Sequence, residues 1–101
     1  MVRGTTETGF AFEADENVMA TWKVAKAIAK TQSDEGAEQL AGAVELVEDI
    51  LGKKQEKALM KHLRKVKGTA MTEDVMTEIF EIVDCIRMES EKAKNSYPLL
   101  K

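Results

Sequence analysis

The only proline of this 101-residue chain lies at position 98, so no residue before it forbids an α-helix. Apolar residues upstream recur at the three- and four-residue spacing that is typical of amphipathic helices. This spacing predicts four helices, at about residues 15–30, 37–51, 53–67 and 72–93. Because the connecting segments are short, successive helices should pack on one another. The sequence therefore predicts an all-α protein that folds as a compact bundle of about four helices.

The two ends of the chain differ from this helical region. Residues 1–9 are polar and rich in threonine and glycine, which predicts a mobile N-terminal arm. Phe10 and Phe12 then lie at period two, which indicates a short strand or an extended arm packed on the helices. Residues 10–94 are expected to form a single helical domain, and residues 95–101 a C-terminal tail that contains Pro98.

The apolar stripes of the predicted helices define the expected core. In the first helix the stripe consists of Val18, Trp22, Ala25 and Ala29. Over all four helices, the residues expected to be buried are Trp22, Leu40, Val47, Leu63, Ile79, Ile82 and Ile86. Gly52 and Gly68 are placed to end the second and third helices. Thr72, followed by two acidic residues, marks the start of the fourth.

Composition narrows the class of protein. With 44 % hydrophobic and 33 % charged residues, the chain is too apolar to be disordered and too polar to be a membrane protein. Its N-terminus has no apolar run of the kind found in secretory signals. The single Cys85 cannot form an internal disulfide, which agrees with a reducing compartment. We therefore expect a cytoplasmic protein that does not enter a membrane.

The sequence contains no recognisable catalytic or metal-binding motif. His62 lies between Lys61 and Arg64, where positive charge lowers metal affinity, and it is expected to be an ordinary surface residue. Cys85 falls on the far side of the last helix from its apolar stripe and lies beside Asp84, with no activating group. No phosphate-binding glycine loop and no nucleophile motif is present. We predict that the protein is not an enzyme and binds no cofactor and no metal.

Basic residues are concentrated in the third predicted helix. Residues 53–67 carry seven basic side chains and one acidic side chain, whereas the segments on either side are acidic. The residues that share one face of this helix are Lys53, Lys57, Lys61 and Arg64. Three interpretations remain open: a solvated face, a contact with nucleic-acid phosphates, or pairing with an acidic surface of another protein or copy. The overall charge of −3 disfavours nucleic acid.

The first helix is apolar around most of its circumference. Beside the Trp22 stripe lie further apolar side chains at Val24, Ala27 and Ile28. Such a helix is either central in a bundle or packs on the core with one side and on another subunit with the other. A second contact is possible between the basic face of one copy and Glu45, Glu48 and Asp49 of a neighbouring copy. The apolar contact and this charge pairing together predict weak, salt-sensitive homo-oligomers. The tail residues Tyr97, Leu99 and Leu100 are a further candidate contact.

A family resemblance is carried by residues 8–16, a helix centred on Trp22, residues 51–55 leading into 61–64, residues 76–82 and the ending at 94–97. They resemble the small tail assembly chaperones of long-tailed bacteriophages and of prophages of Gram-positive bacteria. The resemblance implies a non-structural protein of the bacterial cytoplasm that is absent from the mature virion. It implies that the chain binds the tape-measure protein and helps recruit tail-tube subunits.

Two other functions are compatible with the sequence. The basic helix at residues 53–67 suits a small nucleic-acid-binding regulator. An adaptor for an unknown protein partner is the other alternative.

Overall fold

The computed structural model describes the backbone of residues 1–95 and the side chains of residues 1–90. Within this part of the chain it has two strands, one turn of 3₁₀-helix and three α-helices. They are β1 (Val2–Thr5), β2 (Ala11–Ala14), the turn Val18–Ala20, α1 (Trp22–Thr31), α2 (Gly36–Lys67) and α3 (Thr72–Asn95). The protein is thus a mostly helical globule with an N-terminal hairpin, and the all-α prediction is correct only for the region after the hairpin.

Helix α2 consists of two helical arms that meet at Gly52. The backbone of Gly52 has φ 76° and ψ 168°, a conformation that is essentially restricted to glycine. We call residues 36–51 the first arm and residues 53–67 the second arm. The sequence predicted two separate helices with this glycine between them, and the structure confirms both segments and the break. Gly68 ends the second arm with φ 87°, and its N–H donates to the carbonyl of Arg64.

Strands β1 and β2 form an antiparallel hairpin whose register pairs Val2 with Ala14 and Thr5 with Ala11. The N–H of Thr6 donates to the carbonyl of Phe10 at 2.9 Å, which continues the pairing and leaves residues 7–9 as a three-residue loop. The φ of 95° at Gly9 suits the left-handed position of such a loop. The structure therefore replaces the mobile arm predicted at residues 1–9 with a paired strand. The physical reason is burial, because alternate apolar side chains of the hairpin reach the core: Val2, Phe10, Phe12 and Ala14.

Gln55 attaches the hairpin to the second arm of α2. Its side-chain oxygen accepts a hydrogen bond of 2.9 Å from the N–H of Glu13, and its Nε2 donates to the Glu13 carbonyl at 2.8 Å. The same Nε2 donates to the carbonyl of Leu51, beside the break at Gly52, at 3.0 Å. One amide thus satisfies backbone groups of β2 and of the helix next to its kink.

The core lies between the hairpin and the three helices. Of the residues predicted to be buried, Val47, Leu63, Ile79, Ile82 and Ile86 are buried, which confirms those positions. The prediction of burial is wrong for Trp22, which is 77 % exposed, and for Leu40, which is 43 % exposed. No helix within residues 1–95 has the length and apolar character needed to cross a membrane.

The face of helix α1 that points into the core is not the predicted one. It begins only after Thr21, whose hydroxyl accepts a hydrogen bond from the N–H of Val24. Val18 lies in the preceding 3₁₀ turn and is not in register with the helix. Val24 and Ala27 are fully buried, and the stripe that contains Trp22 faces outward.

A glycine contact determines which side of α1 faces inward. A Cβ atom added at Gly42 in the first arm of α2 would lie only 2.7 Å from the carbonyl oxygen of Ala27 and 2.8 Å from the backbone nitrogen of Thr31. The two helices therefore approach to a distance that only glycine permits. This close contact selects the narrow face of α1 that contains Ala27, and it leaves the indole of Trp22 outside.

Candidate protein-binding surface

An open groove separates the two arms of α2 from the start of α3. We call it the apolar groove; its volume is about 230 Å³. The residues that line it include Leu40, Val44, Val47, Met60, Val75 and Met76. It exists because the chain changes direction at Gly52, so that the two arms contribute separate walls and the start of α3 contributes a third.

Two large apolar side chains are exposed at the rim of the apolar groove. Leu40 was predicted to be buried, but 43 % of its surface is exposed, and 46 % of Val44 is exposed. The first arm instead buries the face formed by Ala43, Leu46, Val47, Ile50 and Leu51. Leu40 and Val44 lie at the edge of that face. A concave surface with exposed apolar side chains is typical of a binding site.

A row of basic side chains borders the apolar groove. We call Lys53, Lys57, Lys61 and Arg64 the basic strip; all four are exposed on the second arm of α2. Lys57, Lys61 and Arg64 line a shallow depression that shares Glu56 and Met60 with the apolar groove. Within the described side chains, none of the four forms an ion pair. The predicted basic face is thus present and directly adjoins the apolar groove.

The acidic residues predicted to pair with the basic strip of another copy are not equally accessible. Lys30 Nζ donates to the carboxylate of Glu45 at 2.6 Å, because α1 packs across the first arm of α2. Asp49 is half-buried and Glu48 is exposed. Glu48 is therefore the member of this group that remains fully accessible to another chain.

The residues of α1 predicted to form an interaction surface do not lie together on the outside. Val24 and Ala27 are fully buried within their own chain, and Ile28 is half-buried against the core. They cannot form a free surface, and this assignment is wrong for Val24 and Ala27. The exposed apolar stripe is formed by Trp22, Ala25 and Ala29, which we call the outer face of α1.

A buried polar cluster fastens the hairpin loop to the helices. The carboxylate of Glu78, only 2 % exposed, accepts hydrogen bonds from the hydroxyls of Thr6 at 2.7 Å and Thr8 at 3.0 Å. His62 Nε2 lies 3.1 Å from the carbonyl oxygen of Thr8, to which it donates, and 3.1 Å from the Thr8 hydroxyl. His62 is thus not the ordinary surface residue that was predicted, because the hairpin covers it.

The polar cluster joins three distant parts of the sequence, so spacing alone did not reveal it. One signal was present, since Glu78 falls within the apolar stripe of α3 between Val75 and Ile82. An acidic residue at such a position is expected to have a partner. In the described residues every buried side-chain nitrogen and oxygen has a hydrogen-bond partner. The polar groups of the cluster thus find their hydrogen-bond partners within the chain. The cluster, which we call the clasp, holds the hairpin on the helices.

Cys85 also differs from its predicted position. It is half-buried and packs against the core rather than projecting from the far side of the helix. A Cβ atom added at Gly4 would lie 3.1 Å from its Sγ, so the thiol lies beneath strand β1. Among the described side chains, no group of three or more histidine, cysteine or acidic residues is arranged to hold a metal ion.

The remaining candidates, Tyr97, Leu99 and Leu100, lie outside the described residues.

Comparison of the chain with protein-family models, with curated proteins and with solved structures finds no match.

Proposed function

We propose that this protein is a non-catalytic tail assembly chaperone of a long-tailed bacteriophage or prophage. In this role it binds the tape-measure protein in the bacterial cytoplasm and helps recruit tail-tube subunits. The observation that carries the proposal is the apolar groove, which keeps Leu40 and Val44 at the surface of a small protein. Such residues have no part in the core of their own chain, and they are available to cover apolar segments of a client.

The dimensions of the apolar groove suit reversible binding. Burying apolar surface contributes roughly 25 cal/mol of binding free energy per Å². A groove of about 230 Å³ can bury only a small apolar area, so it supports a modest affinity. A long client offers several such segments, and several bound copies can keep it soluble together. Each copy can then leave as the tail-tube subunits arrive. Weak individual contacts are an advantage for a protein that is absent from the finished particle.

Co-expression with the tape-measure protein of the same phage tests this function. We expect the soluble fraction of the tape-measure protein to rise when the chaperone is present. Val44→Asp should abolish this effect, because it places a charge at the rim of the apolar groove without disturbing a buried position. Met88→Asp is the matched control, since Met88 is 60 % exposed and does not line the groove. The proposal is wrong if the wild-type chain leaves the tape-measure protein equally insoluble.

The exposed basic strip favours a second candidate, a small nucleic-acid-binding regulator that uses residues 53–67. Phosphate contacts would make binding fall steeply with salt, which a gel shift at several salt concentrations measures. The acidic charge of the whole chain opposes this function. An adaptor for a different protein would use the same apolar groove, and failure of the tape-measure test with retained peptide binding would favour it.

A further inference from the structure

We infer that the apolar groove and the basic strip form one site for an amphipathic helix whose apolar stripe is flanked by acidic residues. This inference rests on the proposed function, because the helix would be a segment of the client. It specifies the chemistry of that segment, which the proposed function leaves open. Helices that lie in apolar grooves are recognised by side chains spaced three and four residues apart.

The two surfaces are continuous. Met60 and Glu56 line both the apolar groove and the depression that contains Lys57, Lys61 and Arg64. A helix placed against Leu40, Val44 and Met60 would therefore bring one of its flanks to the basic strip. Side chains three or four residues apart lie on the same side of a helix, so a single helix can present an apolar stripe and a row of carboxylates beside it.

The charge of the site selects an acidic flank. Of the described side chains that line the depression, three are basic and Glu56 is acidic. The basic residues are exposed and form no ion pair within the described part of the chain, so they remain available to carboxylates. Exposed pairs are individually weak, and their value lies in choosing the orientation and the partner. A client helix with lysines on this flank would be repelled.

A second copy that offered its outer face of α1 is a poor occupant of the site. The most exposed large apolar side chain of the described residues is Trp22, on the outer face of α1. Lys23 and Lys26 are exposed beside it and would approach the basic strip of the other copy. Like charges brought together oppose such a contact. The electrostatics therefore favour a partner of opposite sign over self-association through the outer face of α1.

Two synthetic peptides of about 18 residues, long enough to populate a helix, test the inference. Both carry the same leucine stripe; one has glutamate and the other lysine on its flanks. Binding of each labelled peptide to the full chain is measured by fluorescence anisotropy at low and moderate salt. We expect the Kd of the acidic peptide to be about tenfold lower than that of the basic peptide, and the difference to shrink with salt.

Variants locate the bound peptide. The double change Lys57→Glu with Lys61→Glu should raise the Kd of the acidic peptide about tenfold, and the double change Lys23→Glu with Lys26→Glu should leave it nearly unchanged. The two double variants have the same net charge, so only location differs. Val44→Asp should remove binding, and Met88→Asp should not. Circular dichroism and thermal unfolding establish that every variant is folded.

Several outcomes would overturn the inference. Equal affinity for the two peptides, or equal losses in both double lysine variants, would show that the basic strip does not select the partner. Tighter binding of an oligonucleotide that is insensitive to Val44→Asp would assign the strip to nucleic acid. Self-association that Val44→Asp abolishes and the peptide does not displace would assign the groove to a second copy.

The tape-measure solubility test separates this inference from the function it rests on. If the tape-measure protein is kept soluble but the acidic peptide does not bind, the inference is wrong and the proposed function stands. If the acidic peptide binds but the tape-measure protein stays insoluble, the site stands and the proposed function is wrong.

Discussion

Glu78 is a buried carboxylate whose hydrogen-bond partners come from the far end of the sequence. It accepts from Thr6 at 2.7 Å and from Thr8 at 3.0 Å. Glu78→Ala would remove the acceptor of two hydroxyls, that of Thr6, which is buried, and that of Thr8, which is half-buried, and should cost about 1–3 kcal/mol of unfolding free energy. We expect urea denaturation to show this loss.

Glu81 provides the matched control for Glu78. Its carboxylate accepts a hydrogen bond of 2.7 Å from the N–H of Glu7 in the same hairpin loop, but at an exposed position. Water can replace it there, so Glu81→Ala should cost about 0.5–1.5 kcal/mol. Equal losses in the two variants would show that the clasp beneath the hairpin contributes no more than a surface contact.

Trp22 is the largest exposed side chain, and its behaviour in solution follows from that position. With 77 % of its surface exposed, Trp22→Ala should change the unfolding free energy by less than about 0.5 kcal/mol. Ile82→Ala, by contrast, removes a fully buried side chain and should cost about 2–5 kcal/mol. At low protein concentration the tryptophan emission should be red-shifted and readily quenched by acrylamide. A blue-shifted, protected emission would contradict the orientation of α1.

At the scale of the elements, the break in α2 produces the apolar groove. Gly52 has φ 76° and ψ 168°, and a Cβ atom added there would meet nothing within 4 Å. The effect of Gly52→Ala is therefore purely conformational, and we expect a loss of about 1–3 kcal/mol. Gly36→Ala is the control, since Gly36 also has open space and has no positive φ.

The same pair of variants tests whether the kink shapes the binding site. In thermal unfolding, Gly36→Ala should be neutral or slightly stabilising, because alanine has a helix propensity about 1 kcal/mol better than glycine. Gly52→Ala should lower the melting temperature and weaken binding of the acidic peptide, since the walls of the apolar groove lie on either side of the break. Unchanged stability in Gly52→Ala would show that the arms do not require this backbone conformation.

At the scale of the whole molecule, self-association remains a prediction, but the structure changes its expected salt dependence. The sequence predicted contacts that salt would weaken. Glu45 is engaged by Lys30, however, and the accessible apolar stripe is the outer face of α1, with Lys23 and Lys26 beside it. If two such faces meet, like charges oppose the contact, and added salt should strengthen it.

Sedimentation at low and high salt measures this association. We expect a weak dimer that becomes more populated with salt and that Trp22→Ala removes. A charge at Val24, which the sequence placed on this surface, would not report on the dimer, because Val24 is fully buried and an unpaired charge there would unfold the chain. A dimer that salt dissociates and that Lys57→Glu with Lys61→Glu prevents would instead support pairing of the basic strip with Glu48.

Features that depend only on neighbouring residues were predictable from the sequence. Local signals in the sequence agree with the two arms of α2, the break at Gly52, the end at Gly68 and the start of α3 near Thr72. The buried stripe of α3 also agrees, because its apolar residues keep one helical register from Val75 to Ile86. The basic strip follows from spacing alone, since residues four apart share a helix face whatever surrounds them.

Which apolar face lies inside and which polar residue is buried depend instead on tertiary contacts. In α1 both faces are apolar, and the close approach at Gly42 selected Val24 over Trp22. Strand β1 has few apolar residues and is ordered by pairing with β2, a partner that local propensity does not reveal. Glu78 is buried and His62 half-buried because the hairpin covers them. These outcomes depend on contacts between residues far apart in sequence, and such contacts exist only once the chain has folded.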